Sequence, residues 1–298
     1  MENKQTSLYQ DGLRSRLLVS SSQEIATGIV ELTLRGGNLA QYASPGQFVM
    51  VSVSGNHDTR DGTREGIDPF LRRPFSIADI DREADEIKLI YQIQGHGTAR
   101  MAQWTTGQEV DVLGPLGNGF SWDDALEQAI LVGGGLGTAA LLPLAKQLRS
   151  EGKAVQVFLG ARSADLLFGF PLFEQWGCRI QIATEDGSSG TPGLVTLPLE
   201  SYLMEQKSAD EQDKDTDRQS KSPLLFACGP EPFLHAISTL CSTYQIQGQI
   251  SMEERMGCGF GACMGCSIET QLSEDHHQRK RVCKDGPVFT IGEVLFHG

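Results

Sequence analysis

Apolar and polar side chains alternate in short runs over the first third of the chain, and the period then changes. Residues 28–34 (GIVELTL) alternate as a half-buried strand does. Residues 47–53 (QFVMVSV) predict a second strand behind the Ser44-Pro45-Gly46 turn. Residues 75–78, 86–94 (EIKLIYQIQ) and 110–113 predict three more, the last running into Gly114-Pro115-Leu116-Gly117. Short strands at this spacing predict an antiparallel barrel or sandwich. Residues 56–68 are polar, charged and glycine-containing, which predicts an exposed loop insertion.

From about Asp123 the chain alternates strand with helix. Residues 128–132 predict a buried strand, followed by Gly133-Gly134-Gly135-Leu136-Gly137 and a helical run over 138–150. Further strands are expected at 154–159, 179–184 and 224–228. A helix over 164–175 is interrupted by Gly169 and Pro171, and another runs from Glu231 to about Tyr244. This order predicts a parallel sheet with helices on its faces. Residues 205–222 are highly charged and lack any aromatic residue, so a mobile or disordered insertion without chemistry is expected there. The expected organisation is an antiparallel β-barrel domain over 1–122 and a parallel α/β nucleotide-binding domain over 123–245, with a mobile insertion at 201–222. A small C-terminal domain over 246–298 completes it. No internal repeat is visible.

Composition narrows the function classes. A length of 298 residues suffices for two or three domains, each with its own core. No apolar run is long enough to cross a membrane, and residues 1–23 lack a signal-peptide apolar core, so a cytoplasmic protein is expected. A net charge of -13 without a basic stripe argues against nucleic acid. Cys178, Cys228 and Cys241 lie in or beside apolar segments and read as buried thiols.

The other four cysteines change the picture. Cys258, Cys263 and Cys266 are spaced C-x4-C-x2-C, with Cys283 further on, which is the plant-type 2Fe–2S spacing. Gly257, Gly259, Gly261 and Gly265 give the loop the backbone freedom to wrap a cluster. A structural zinc site or disulfides compete with this reading. Zinc, however, usually takes paired C-x2-C units, and a single such pair is present.

Gly134 and Gly135 lie in a turn that follows a strand and opens a helix, an arrangement that aims N–H groups at a phosphate. The same turn also serves simply to pack strand on helix, and it does not fit G-x-G-x-x-G. Gly229 and Pro230, in Cys228-Gly229-Pro230-Glu231, end a later strand at the same edge of the sheet, where open parallel sheets bind ligands. In the barrel part, Arg73 offers a guanidinium for a diphosphate, Phe75 a stacking face and Ser76 a hydroxyl. Taken alone that tetrapeptide is an ordinary strand with one exposed arginine. Ile90-Tyr91-Gln92 and Gly97-Thr98 follow, the latter pair opening another helical run. His96 has no evident carboxylate partner and reads as a solvated loop residue.

Arg73-Pro74-Phe75-Ser76, Gly97-Thr98, Gly133 to Gly137 and Cys228-Gly229-Pro230 occur in an order that resembles the ferredoxin–NADP reductase superfamily. The segment around Glu253-Glu254-Arg255-Met256-Gly257-Cys258, with residues 281–289 (RVCKDGPVF), looks like the electron-transfer subunit family of NAD-dependent (class 1B) dihydroorotate dehydrogenase. The resemblance covers nearly the whole chain outside the two polar insertions. It implies FAD contacts from Arg73, Pro74, Phe75, Ser76, Ile90, Tyr91, Gln92, Gly97 and Thr98. It implies nicotinamide contacts from Gly134, Gly135, Gly229 and Pro230, and a 2Fe–2S cluster on Cys258, Cys263, Cys266 and Cys283. Phe75 departs from the superfamily's usual tyrosine, keeping the stacking face and losing a phenolic hydrogen bond.

The implied function is a relay between NAD(H), FAD and the cluster. Its outlet would be the FMN of a separate dihydroorotate dehydrogenase catalytic subunit, in a heterotetramer with two copies of each chain. No protein acid or base is demanded for hydride transfer. The alternatives are an NAD(P)H-dependent ferredoxin reductase or sulfide dehydrogenase subunit, a stand-alone diaphorase, and a redox-sensing binding module. Arg162-Ser163, after a parallel strand, could receive the 2′-phosphate of NADPH, or it could be a solvated helix start.

Overall fold

The computed structural model describes residues 13–53, 70–212, 222–273 and 276–296. The polar segment expected as an insertion at 56–68 lies outside the described residues. Six strands, β1 (Arg14–Ala26), β2 (Ile29–Arg35), β3 (Phe48–Val51), β4 (Arg73–Asp81), β5 (Glu86–Gln92) and β6 (Glu109–Leu116), form the first unit. They close into an antiparallel barrel of order β1-β2-β5-β4-β3-β6. Two short helices, α1 (Leu39–Tyr42) and α2 (His96–Met101), sit in its connections. Side-chain alternation sends Leu17, Val19, Leu32, Leu34, Val49 and Leu89 into the barrel. The sequence pattern does not predict β1, the longest strand.

The second unit is a seven-stranded sheet of order β10-β9-β8-β7-β11-β12-β15. Its strands are β7 (Gln128–Gly134), β8 (Ala154–Ala161), β9 (Arg179–Thr184), β10 (Thr191–Pro192), β11 (Leu224–Cys228), β12 (Gly248–Ser251) and β15 (Val288–Thr290). All neighbours are parallel except β15, which runs antiparallel to β12. Helices α3 (Thr138–Ser150), α4 (Phe170–Gln175), α5 (Thr196–Gln212) and α6 (Glu231–Tyr244) connect the strands. The interrupted helix expected over 164–175 resolves into a 3-10 turn at Ala164–Leu166 and the short α4. Gly169 makes the break at φ 76, and Pro171 is tolerated in the first turn of α4, where an N–H has no helical acceptor. Helix α5 extends to Gln212, into the charged stretch expected to be disordered, while residues 213–221 of that stretch lie outside the described residues.

The chain leaves the sheet through β12, builds the cysteine loop and the hairpin β13 (Ser267–Ser273) and β14 (His276–Arg281), passes α7 (Val282–Asp285), and returns as β15. Strand β12 lies beyond the expected domain boundary at 245, and β15 comes from the segment assigned to the third domain. Sheet pairing therefore runs across that boundary. One apolar cluster joins all three units: Phe48, Met50 and Leu116 of the barrel, Ile130, Leu225 and Ile250 of the sheet, and Cys266, Cys283 and Phe289 of the last segment. On the other face Ile29, Ala78 and Ile90 of the barrel pack with Ala139, Leu142 and Leu159. Lys146 on α3 adds an ion pair to Asp79 on β4 at 2.6 Å.

Close approach of α3 to β11 depends on Gly137. Its φ of -59 is ordinary, but a Cβ there would lie 2.2 Å from the Cys228 carbonyl oxygen. Gly137→Ala is therefore expected to destabilise the fold by about 1–3 kcal/mol, the usual cost of overpacking. Thermal unfolding checks this, and an unchanged midpoint would show that the helix start has room for a methyl group.

Candidate functional site

The glycine turn after β7 and the one after β11 meet at the carboxyl edge of the sheet. Gly133 pairs with Cys228, and Cys228 with Ser251, so three strand ends lie side by side. A Cβ on Gly229 would stand 3.2 Å from the Gly134 Cα and 2.5 Å from the Phe233 ring. Gly134 faces the same ring at 3.1 Å. The half-buried Phe233, on the first turn of α6, thus covers both glycines and accounts for the missing side chains. Gly135 differs. It has φ +53 and nothing within 4 Å of its would-be Cβ, so its backbone faces open space. Pro230 caps α6 in an extended conformation. The Cys228 thiol is fully buried, which pushes its pKa far up, and the nearby Glu253 charge adds to this. It is a neutral wall of the site.

Arg162 follows β8 at the same edge. Its carbonyl accepts the Asp186 N–H at 3.1 Å. The Asp186 carboxylate is held below its ordinary range, first by the Ser188 hydroxyl and then by the Ser188 N–H. The ends of β8 and β9 are thereby joined through the Arg162 and Asp186 backbones.

In the barrel, Arg73, Pro74, Phe75 and Ser76 begin β4 in half-exposed positions, paired to β3. Arg72 is consumed by structure: Nη2 meets Asp111 Oδ2 at 2.8 Å and Nη1 donates to the Asp111 carbonyl. Arg73, one residue on, donates to the Leu71 carbonyl at 2.6 Å. Phe75 tilts against Tyr91 with ring centroids 5.5 Å apart. On β5 the side chains of Ile90 and Tyr91 part. Ile90 joins the apolar face shared with α3, and Tyr91 enters the barrel core. The Tyr91 hydroxyl is buried and has no hydrogen-bond partner among the described residues, and burial raises its pKa to about 12. Gln92 stays half-exposed and accepts from Gln94 Nε2 at 2.8 Å. Gly97 is buried in α2, while the Thr98 hydroxyl accepts from the Gln94 and Gly95 N–H groups and caps that helix. Strand β5 touches the Gly135–Gly137 turn, so the barrel residues and the glycine edge adjoin.

The cysteines converge as two pairs. Cys258 and Cys263 sulfurs lie 3.5 Å apart, and the Cys283 N–H points to the Cys266 sulfur at 3.4 Å. Burial acts to raise the Cys258 pKa, but the N–H groups of Cys263, Phe260 and Ala262, with the Cys263 thiol, outweigh it and bring it to about 6. Cys283 moves the other way, to about 12, chiefly through burial and then through the adjacent Cys266. Among the described residues no three Cys, His, Asp or Glu side chains gather as a single-ion site. Two thiol pairs are the donor set a two-iron cluster takes, two sulfurs to each iron, so the residues present fit such a cluster. Gly259 brings this loop onto β3, where a Cβ would stand 2.4 Å from Met50 Cγ. Phe260 and Met264 on the opposite side are 50% and 57% exposed.

Phe233 carries no motif, and only the folded contacts reveal it. Arg281 stands in the segment read with the fourth cysteine, and the fold adds that its guanidinium bonds the Gly261 carbonyl of the cysteine loop.

Residues 253–295 match the family described as the iron-sulfur cluster binding domain of dihydroorotate dehydrogenase B, a span that holds all four cysteines. Curated relatives include the dihydroorotate dehydrogenase B (NAD(+)) electron transfer subunits of Bacillus mycoides (strain KBAB4) and Bacillus cereus (strain B4264). Each is 38% identical over 284 residues, covering 95% of this chain and 98% of the relative. Among solved structures, the NADH-dependent reduced ferredoxin-NADP oxidoreductase described for flavin-based electron bifurcation aligns with a TM-score of 0.76 at 26% identity. That alignment covers 94% of this chain and 90% of the other. Phthalate dioxygenase reductase, at 17% identity and a TM-score of 0.56 over 93% of this chain and 78% of its own, shares the fold. With both identity and coverage at this level, the chain belongs to the family of dihydroorotate dehydrogenase B (NAD(+)) electron transfer subunits.

Proposed function

We propose that the chain relays electrons between NAD(H) and the FMN of a dihydroorotate dehydrogenase catalytic subunit, through FAD and a 2Fe–2S cluster of its own. The observation that carries this reading is the seating of the cysteine loop. One side packs on barrel strand β3 through Gly259 and Met50, while Phe260 and Met264 on the other side face outward. A loop so placed has an inlet toward the barrel and an outlet toward a partner.

In this reading FAD lies on Arg73, Pro74, Phe75 and Ser76, on Ile90, Tyr91 and Gln92, and on Gly97 and Thr98. The divergence of the Ile90 and Tyr91 side chains supports β5 contacts made chiefly by its main chain and by Gln92. Thr98 acts by holding the α2 turn open, because its hydroxyl is already engaged. NAD(H) lies on Gly134, Gly135, Gly229 and Pro230, and the open face of Gly135 is the one where a phosphate can approach the backbone. When bound, the flavin exchanges a hydride with the nicotinamide and single electrons with the cluster, the conversion that neither of those groups performs alone. The chain's own residues bind, orient and exclude water, and none is required as an acid or base. The full assembly in this reading is a cytoplasmic heterotetramer with two copies of each chain.

Asp186, just past the end of β9 and bonded to the Arg162 backbone, supports NAD over NADP, because a carboxylate at this strand end disfavours a 2′-phosphate. Asp186→Ala is expected to raise kcat/KM for NADPH relative to NADH. A ratio that stays constant would remove Asp186 from cofactor choice.

Cys263→Ser tests the relay itself. NADH should still bleach the FAD in a stopped-flow experiment, while reduction of the FMN in the co-purified catalytic subunit should stop. FMN reduction at the unsubstituted rate would take the cysteine site off the electron path.

A further inference from the structure

Arg281 lies outside the four cysteines and outside every cofactor contact assigned above, yet its guanidinium is built into the cysteine loop. It ends β14, two residues before Cys283. Its Nη1 donates to the Gly261 carbonyl at 2.6 Å. That carbonyl lies between Cys258 and Cys263, and the Cys263 N–H donates to the Cys258 sulfur at 3.4 Å. A positive charge therefore stands on the 261–262 peptide, inside the cysteine loop. The orientation of this peptide is fixed. Gly261 has φ +87, which only glycine adopts at little cost, and the aliphatic stem of Lys284 lies over it, 2.6 Å from any Cβ it might carry. Asp285 steadies Arg281 from behind, accepting from its backbone N–H at 2.7 Å and from Nε at 3.4 Å. The two side chains are 26% and 31% exposed, so their fields are screened less than those of charges standing free in solvent.

We propose that Arg281 is a positioning residue that sets the reduction potential of the iron–sulfur centre, acting through its charge on the 261–262 peptide of the cysteine loop. The proposal rests on the cluster assignment made above. Reduction adds one electron and hence one negative charge shared with the sulfurs. No bond forms or breaks, and no proton or leaving group moves. N–H···S hydrogen bonds and nearby positive charge favour the state with the extra electron. A cation bonded to a carbonyl of the cysteine loop places that positive charge beside the sulfurs. Asp285 works in the opposite sense, because its carboxylate offsets part of the guanidinium charge.

Two substitutions therefore have opposite signs. The cluster potential is measured by a redox titration followed by electron paramagnetic resonance, on the chain in complex with its catalytic partner. Iron and sulfide content are measured in parallel. Arg281→Leu should lower the reduced-to-oxidised ratio at a fixed ambient potential about tenfold, which corresponds to about 59 mV for one electron. Arg281→Lys should recover part of that loss. Asp285→Asn keeps an oxygen for the Arg281 N–H while removing the charge, and should raise the ratio. Unchanged potentials, or shifts of the same sign, overturn the proposal. If Arg281→Leu takes up no iron, Asp285→Asn decides alone, and a ratio that fails to rise overturns it. Absence of iron and sulfide from the unsubstituted chain is a distinct result, which overturns the cluster assignment and this proposal with it.

Discussion

Everything in this molecule depends on holding three differently built units in close contact, and one apolar cluster does most of that work. Phe48 and Met50 from the barrel, Ile250 from the sheet and Phe289 from the last segment bury against one another and against Cys266 and Cys283. Burial of this kind is non-directional and would tolerate many arrangements. Glycines at the contacts make one arrangement specific. Gly259 admits Met50, Gly117 admits Pro287, and Gly46 admits Phe120, each closer than a Cβ permits. Electrons pass between groups held at short fixed range, so this close fit is a functional requirement as well as a structural one.

The parts of the fold legible in the sequence are those whose signal is local. Strands such as Glu86–Gln92 and Gln128–Gly134, and helices such as Thr138–Ser150, announce themselves by periodicity and by the glycine turns that bound them. Strand β1 does not, because only Leu17 and Val19 are buried in it and Leu18, between them, faces solvent. It is a strand because β2 and β6 hydrogen-bond it on both sides, and because Ser21 bonds Thr33 across the pair. Strands β12 and β15, with four and three residues, are too short to show a period. They exist through pairing with partners distant in sequence, a determinant that no short window contains.

The same division runs through the site. Cysteine spacing is local, so the four thiols that the fold brings together stand out in one loop and one turn. The glycine turns were readable as turns, but not which glycine serves what. Gly134 and Gly229 lack side chains because Phe233 occupies that space, Gly137 because Cys228 does, and Gly135 alone in that group faces open space. Ile90 and Tyr91 adjoin in sequence and face opposite cores in the fold, the ordinary consequence of a two-residue period in a strand packed on both sides.

The return of the chain through β15 explains how a small cysteine segment can be rigid without a large core of its own. Strand β12 delivers the chain from the sheet into the cysteine loop, and β15 brings it back beside the same strand, pairing Ser251 with Val288. Both ends of the segment are thereby fixed to one hydrogen-bonded platform. Between them, Asn118 of the barrel bonds the Lys284 and Asp285 carbonyls, and its own N–H bonds the Gly286 carbonyl at 2.6 Å. The fourth cysteine is thus held by the barrel on one side and by the sheet on the other. A hinge between cluster and flavin units would have to break these contacts together, so the arrangement favours a fixed relay over a swinging carrier.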